Sequence, residues 1–120
     1  DNDDDALLAC RCNAELNGVR LECLADLDAA PDCDLVLVAD VLYDPVNRPL
    51  LDDLLARFPD ILLADSRVRP ESLTDWTQFD AVEADTVPDL DESPMFRCVR
   101  FYGPSEQSLD DARIRAGDAD

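Results

Sequence analysis

Four aspartates, Asp1, Asp26, Asp40 and Asp65, stand at positions where carboxylates could act together. Asp40 and Asp65 each follow an apolar run that predicts a buried strand, and Asp26 follows a shorter alternating run. Asp1 precedes the first predicted helix, where an earlier strand would end. Because ligands of open parallel sheets bind beyond the carboxyl ends of the strands, these side chains are expected to line one site. The alternative for each is a cap or a turn, the common role of Asp after a strand.

Composition excludes several classes of function. The 120 residues include 29 acidic and 10 basic side chains and no histidine, so the formal net charge is −19. Such a chain would repel phosphate, which argues against nucleic acid as a partner. Nucleophilic schemes that need a histidine are excluded, and three glycines cannot build a Gly-rich phosphate loop. No apolar run approaches the length of a membrane span, so no membrane contact is expected.

The five cysteines do not form a recognisable metal or disulfide pattern. Their number is odd and no C-x-x-C pair occurs. We expect them to be small, buried apolar side chains in a reducing compartment, which favours a cytoplasmic location.

Hydrophobic periodicity and turn residues predict an α/β domain followed by a tail. Two apolar runs flank a helical pattern that begins near Pro49, which predicts a strand–helix–strand unit with both strand faces covered. Two further strands joined by a short loop are expected to be antiparallel. The predicted helices cover residues 4–16, 49–58 and 72–77, the strands cover 19–24, 35–39, 61–64, 79–87 and 96–102, and a disordered acidic tail covers 104–120.

Several segments of residues 1–103 resemble the class I, seven-strand methyltransferases that use S-adenosylmethionine (SAM). The similarity is greatest to the bacterial relatives of the protein N-terminal and lysine methylases, which include the electron-transfer-flavoprotein lysine methyltransferase. One of the segments contains the D-x-x-Y motif, at Asp40 to Tyr43. The order of all the segments is more specific to the family than this motif alone. They are DND at 1–3, Ala6-Leu7, NAELNGV at 13–19, DVLY at 40–43, DSRVR at 65–69, TVPDLDES at 86–93 and Phe96-Arg97.

The resemblance implies a partial Rossmann-like sheet. The family order is 3-2-1-4-5-7-6 with the seventh strand antiparallel, and the predicted strands correspond to strands 3 to 7. Strands 1 and 2 and the Gly-rich SAM loop are missing from the sequence. The chain is therefore expected to be the C-terminal portion of a methyltransferase domain and to be inactive alone. Its unpaired sheet edge is expected to favour self-association.

The resemblance also implies residue roles. Asp1 corresponds to the acid that binds the ribose hydroxyls, and Asp26 with Leu27 to the pair that contacts adenine. Asp40 and Tyr43 correspond to the catalytic, substrate-side pair, and the methyl acceptor would be a protein lysine or a small amine. The alternatives are a frayed terminus for Asp1, a packing role for Tyr43, and a non-catalytic binding or assembly module for the whole chain.

Two arginines that follow the predicted strand at 61–64 have a less specific interpretation. Arg67 and Arg69 are expected to pair with the surplus of acids in this chain, and contact with an acidic partner is the alternative.

Overall fold

The computed structural model describes residues 3–58, 60–91 and 93–109. The chain divides into two compact units, Asp1–Asp32 and Cys33–Asp120. In the described ranges no helix is long and apolar enough to cross a membrane.

The first unit contains helix α1 (Asp4–Leu16), as the sequence predicts. Oδ1 of Asp3 accepts hydrogen bonds from the backbone N–H groups of Asp5 (2.8 Å) and Ala6 (3.2 Å), which satisfies two free donors at the helix start. Gly18 ends the helix with a φ of 63°, in the left-handed region that glycine adopts without steric cost. Both helix boundaries therefore follow from local capping chemistry.

The strand predicted over residues 19–24 is absent from the structure, which has irregular backbone there. Val19 and Leu21 are exposed. The alternation of apolar and polar residues is real, but a strand forms only where a neighbour completes its hydrogen-bond ladder. In the described ranges, no strand pairs with this segment.

The second unit begins with a strand–helix–strand motif, as predicted. Strand β1 (Val36–Ala39) leads to helix α2 (Arg48–Arg57) and then to strand β2 (Ile61–Asp65). The two strands are parallel, with Val36 opposite Ile61. The apolar spacing of α2 buries one face of the helix at Leu51, Leu54 and Leu55.

Two antiparallel pairings complete a mixed four-stranded sheet. Strands β3 (Trp76–Glu83) and β4 (Cys98–Pro104) pair with each other, and β4 also pairs with β2. The sheet order is β1-β2-β4-β3, which makes β1 an edge strand. The fold is therefore α/β, with the predicted antiparallel pair at its end.

One face of this sheet carries the core. Val38, Leu63 and Tyr102 on three neighbouring strands pack with residues of α2 and its flanking loops. The buried cluster is Val38, Leu42, Leu51, Leu54, Leu55, Phe58, Ile61, Leu63, Leu73, Trp76 and Tyr102.

The expectation that both faces of the first apolar strand are covered is wrong. Val38 of β1 is buried, but Leu37 next to it is 69% exposed. Phe79 and Val82 of β3 are also exposed. The reason is that the buried cluster lies on one face only, so side chains of the other pleat remain open to solvent.

Three smaller predictions also differ from the structure. The helix predicted at 72–77 is a 3-10 turn, Pro70–Ser72, and Trp76 opens β3 because it pairs with Pro104. In the tail predicted from residue 104, Pro104 ends β4 and residues 106–109 are helical, while residues 110–120 lie outside the described residues. None of the five cysteines is buried, since they lie on segments that bury few side chains.

Candidate active site

Asp40 and Asp65 lie side by side at the carboxyl edge of the parallel strands. Ala39 pairs with Ala64, so the residue that follows each strand is brought to the same edge. The backbone N–H of Asp40 donates to the carbonyl of Ala64 at 3.1 Å, which extends the ladder by one bond. The structure therefore brings together two of the four predicted aspartates.

Asp40 has a backbone conformation that few non-glycine residues adopt. Its φ is 52°, in the left-handed region, where Asp is among the better tolerated residues. Such a conformation costs on the order of 1 kcal/mol and persists where the surroundings impose it. The turn redirects the chain at the strand end and leaves the Asp40 side chain exposed. Its carboxylate is thus accessible to a ligand.

The loop after Asp40 is held by side-chain hydrogen bonds. Nδ2 of Asn47 donates to the carbonyl of Val41 at 2.8 Å, and Oδ1 of Asp44 accepts from the backbone N–H of Val46 at 3.0 Å. Tyr43 lies between these anchors and is 68% exposed. The packing role considered for Tyr43 is therefore wrong. Its side chain is open to solvent, three residues after Asp40 in the sequence.

Asp65 differs from Asp40 because it is 1% exposed. Its Oδ1 accepts hydrogen bonds from the backbone N–H groups of Arg67 and Val68, both at 2.7 Å. Its Oδ2 is buried and has no hydrogen-bond partner among the described residues. Asp65 thus fixes the loop that follows β2, and one of its oxygens is left unsatisfied.

The hydroxyl of Tyr102 is a second buried polar atom without a described partner. Burial raises the pKa of Tyr102 above its usual value near 10, Arg100 opposes the rise and Asp65 adds to it. The hydroxyl group is therefore kept neutral. This buried hydroxyl could not be recognised from the sequence, because Tyr102 lies in an ordinary strand pattern and belongs to no motif.

The predicted cofactor residues belong to the first unit. Asp26 caps a 3-10 turn (Leu27–Ala29), and its Oδ1 accepts from the backbone N–H of Asp28 at 3.0 Å. Leu27 is 36% exposed. Asp1 lies outside the described residues. The capping role is thus present for Asp26, and its second carboxylate oxygen is not used in that cap.

The described residues contain no cluster of three or more His, Cys, Asp or Glu side chains that could hold a metal ion. The chain was also compared with protein-family models, curated proteins and solved structures, and none of them matches it.

Proposed function

We propose that this chain is the C-terminal part of a SAM-dependent methyltransferase that acts on the amine of a protein lysine or of a small molecule. The observation that carries the proposal is the sheet order β1-β2-β4-β3 with β4 antiparallel to both neighbours. The resemblance implies the same order and directions for family strands 4, 5, 7 and 6. The sequence motifs and the sheet topology are separate kinds of observation, and both support the proposal.

The side chains of this chain fit part of a SAM site. The free carboxylate oxygen of Asp26 suits the exocyclic amine of adenine, and the partly exposed Leu27 suits its ring. The three glycines of the sequence do not form a Gly-rich loop for the methionine end of SAM. We therefore assign that end to a part of the protein other than this chain.

Asp40 and Tyr43 would act on the acceptor amine. SAM supplies an electrophilic methyl group, and the protein gains rate chiefly by aligning the reacting atoms. A lysine amine has a reference pKa near 10.4, so it must lose a proton before it can attack. Asp40 can hold the amine and accept that proton at an exposed carboxylate oxygen. The hydroxyl of Tyr43 can donate a hydrogen bond to the acceptor, or the ring of Tyr43 can line the channel for the methyl group.

Substitutions in the protein that contains this chain and the SAM loop test the proposal. We expect Asp40→Ala to lower the single-turnover rate of methyl transfer by about 10²-fold or more while SAM affinity changes little, because the lost contact is to the reacting amine. Asp26→Ala should weaken SAM binding with a smaller effect at saturating SAM. The matched control is Asp53→Ala, which removes an exposed carboxylate from α2 in the same unit, away from the loop that carries Asp40.

Asp40→Asn separates catalysis from turn formation, since it keeps the side-chain shape and tolerates the left-handed backbone. Near-parental turnover in both Asp40 variants would refute the catalytic assignment.

A non-catalytic assembly module is the second candidate. The observation that favours it is the edge position of β1, with Leu37 open on the uncovered face. If the protein binds a partner chain through β1 and transfers no methyl group, the assembly module replaces the methyltransferase as the proposed function.

A further inference from the structure

A cavity of about 320 Å³ lies between the loop after β1 and the loop after β2, and arginines surround it. Three of the ten arginines in this acidic chain line it, together with apolar side chains. The residues that matter are Arg48, Arg67, Arg69, Leu42, Pro45 and Val68. All of them belong to the second unit.

The loops and side chains that carry these guanidinium groups are held in place. Nη2 of Arg48 donates to the carbonyl of Ser72 at 2.5 Å, which leaves other N–H donors of that guanidinium for a ligand. The Arg67 guanidinium lies 4.5 Å from the centroid of the Phe96 ring, a cation–π distance. The carboxylate of Asp65 accepts hydrogen bonds from the backbone N–H groups of Arg67 and Val68, which holds the backbone of this loop. The cavity is therefore formed before a ligand arrives.

The charge at the cavity is opposite to that of the molecule. Asp44 is the acidic residue in its lining, and its Oδ1 already accepts from Val46. Within the described residues, neither Arg48 nor Arg69 has a carboxylate within salt-bridge distance. For Arg69, the expected pairing with the chain's own acids is therefore not formed among the described residues. Both guanidinium groups are exposed, so at this cavity two cations stand apart from the acids of the described ranges.

Size and charge together select the ligand. The volume is at the lower end for small-molecule sites, so it suits one acidic side chain or a short dicarboxylate rather than a nucleotide. Guanidinium groups bind carboxylates in a two-point geometry, and Leu42 and Val68 offer an apolar wall for a methylene stem. The nearby Asp44 disfavours a phosphate dianion relative to a carboxylate of single charge.

We propose that this cavity binds a carboxylate group of the methyl acceptor. The inference rests on the proposed function, because Leu42 and Asp44 of the cavity flank Tyr43 in the loop that also begins with Asp40. A carboxylate held there would place an acidic acceptor, either a peptide with Glu near the target lysine or a free amino acid, beside the substrate-side pair. Acidic acceptors would be selected in spite of the overall repulsion, which salt screens beyond roughly 10 Å.

Binding of glutarate to the full 120-residue chain tests the site without any methyl transfer. We expect saturable shifts of the arginine Nε–H signals of Arg48 and Arg69 in NMR titrations. Arg69→Gln and Arg48→Gln should each weaken glutarate binding by about tenfold, the loss of one charge-assisted pair. Arg20→Gln is the matched control, because it changes the net charge equally at an exposed position in the first unit and should alter binding less than about twofold.

Competition identifies the source of the carboxylate. A lysine peptide with a neighbouring Glu that displaces glutarate, while its Gln counterpart does not, supports a protein acceptor; displacement by free glutamate alone supports a small acceptor. Absence of saturable shifts, equal weakening by Arg20→Gln, or saturation by inorganic phosphate but not glutarate would overturn the inference. Glutarate binding without methyl transfer in any assay would refute the proposed function and leave a carboxylate site, whereas transfer without glutarate binding would refute the site alone.

Discussion

At the residue scale, the two buried polar atoms without a described hydrogen-bond partner, Oδ2 of Asp65 and the Tyr102 hydroxyl, have measurable consequences. Tyr102 is 1% exposed, and its hydroxyl has no described partner. A buried hydroxyl without a hydrogen bond costs on the order of 1 kcal/mol or more. We therefore expect Tyr102→Phe to keep or raise the free energy of unfolding at pH 7, as measured by urea denaturation.

The same variant should change the alkaline stability of the chain. The pKa of Tyr102 is raised in the folded state, so the unfolded chain loses its tyrosine proton first as the pH passes 10. The stability of the folded chain is therefore complete, as far as Tyr102 is concerned, below that pH, and it declines as the pH rises toward the folded-state pKa. Tyr102→Phe should remove this decline, and an unchanged alkaline slope in the variant would contradict the burial of the hydroxyl.

Asp65 should be a structural requirement of the site. Asp65→Ala removes two short bonds to backbone N–H groups in a buried place, and we expect a loss of about 2 kcal/mol in the free energy of unfolding. Asp44→Ala removes one bond from an exposed cap and should cost less than about 1 kcal/mol. Equal losses from the two substitutions in thermal or urea unfolding would show that burial does not strengthen the Asp65 cap.

The sequence alone could identify only part of the site. The position of Asp40 at the edge of the sheet was predictable, because Asp40 directly follows an apolar run and the end of such a run marks a strand end. The difference in burial between Asp40 and Asp65 was not predictable. Both follow similar apolar runs, and only tertiary packing buries Asp65. The arginine-lined cavity was also hidden, because Arg48 is nineteen to twenty-one positions from the arginines it joins.

At the element scale, local signals predicted α1, α2 and the two parallel strands correctly. Asp3 and Gly18 delimit α1, and the apolar spacing of α2 needs no distant partner to be recognised. The predictions failed where the pairing of strands decides the secondary structure. Trp76 belongs to a strand because it meets Pro104, and residues 19–24 have no strand because no described strand meets them.

The free edge of β1 leads to a prediction about association. Its outer backbone groups are unpaired in the described sheet and Leu37 is exposed, so we expect a dimer, an expanded monomer or a fold that depends on a partner. Leu37→Glu should reduce association in sedimentation experiments without loss of helix content, because Leu37 is not in the core. Val46→Glu is the control, since it adds the same charge at an exposed position in the loop before α2.

A compact monomer with a sharp two-state melt, or equal effects of the Leu37 and Val46 substitutions, would contradict the prediction for this edge.

At the scale of the whole molecule, the proposed function gives each unit a separate role. In the proposal, Asp26 and Leu27 of the first unit contact adenine, and Asp40 and Tyr43 of the second unit act on the amine. The overall charge of −19 is expected to repel phosphate polymers, and a local group of arginines supplies the opposite sign where an acidic acceptor is proposed to bind. The account therefore predicts a methyltransferase that prefers acidic amine acceptors.

The most direct test of the central claim is the transfer of an isotopically labelled methyl group from SAM by the protein that contains this chain and the SAM loop. Acceptor peptides that carry lysine beside glutamate, and free amino acids, would be analysed by mass spectrometry. We expect a labelled methyl group on an acceptor nitrogen, which is lost in Asp40→Ala and retained in Asp53→Ala. Saturable SAM binding without label on any amine, or label transfer that is unaffected by both Asp40 variants, would contradict it.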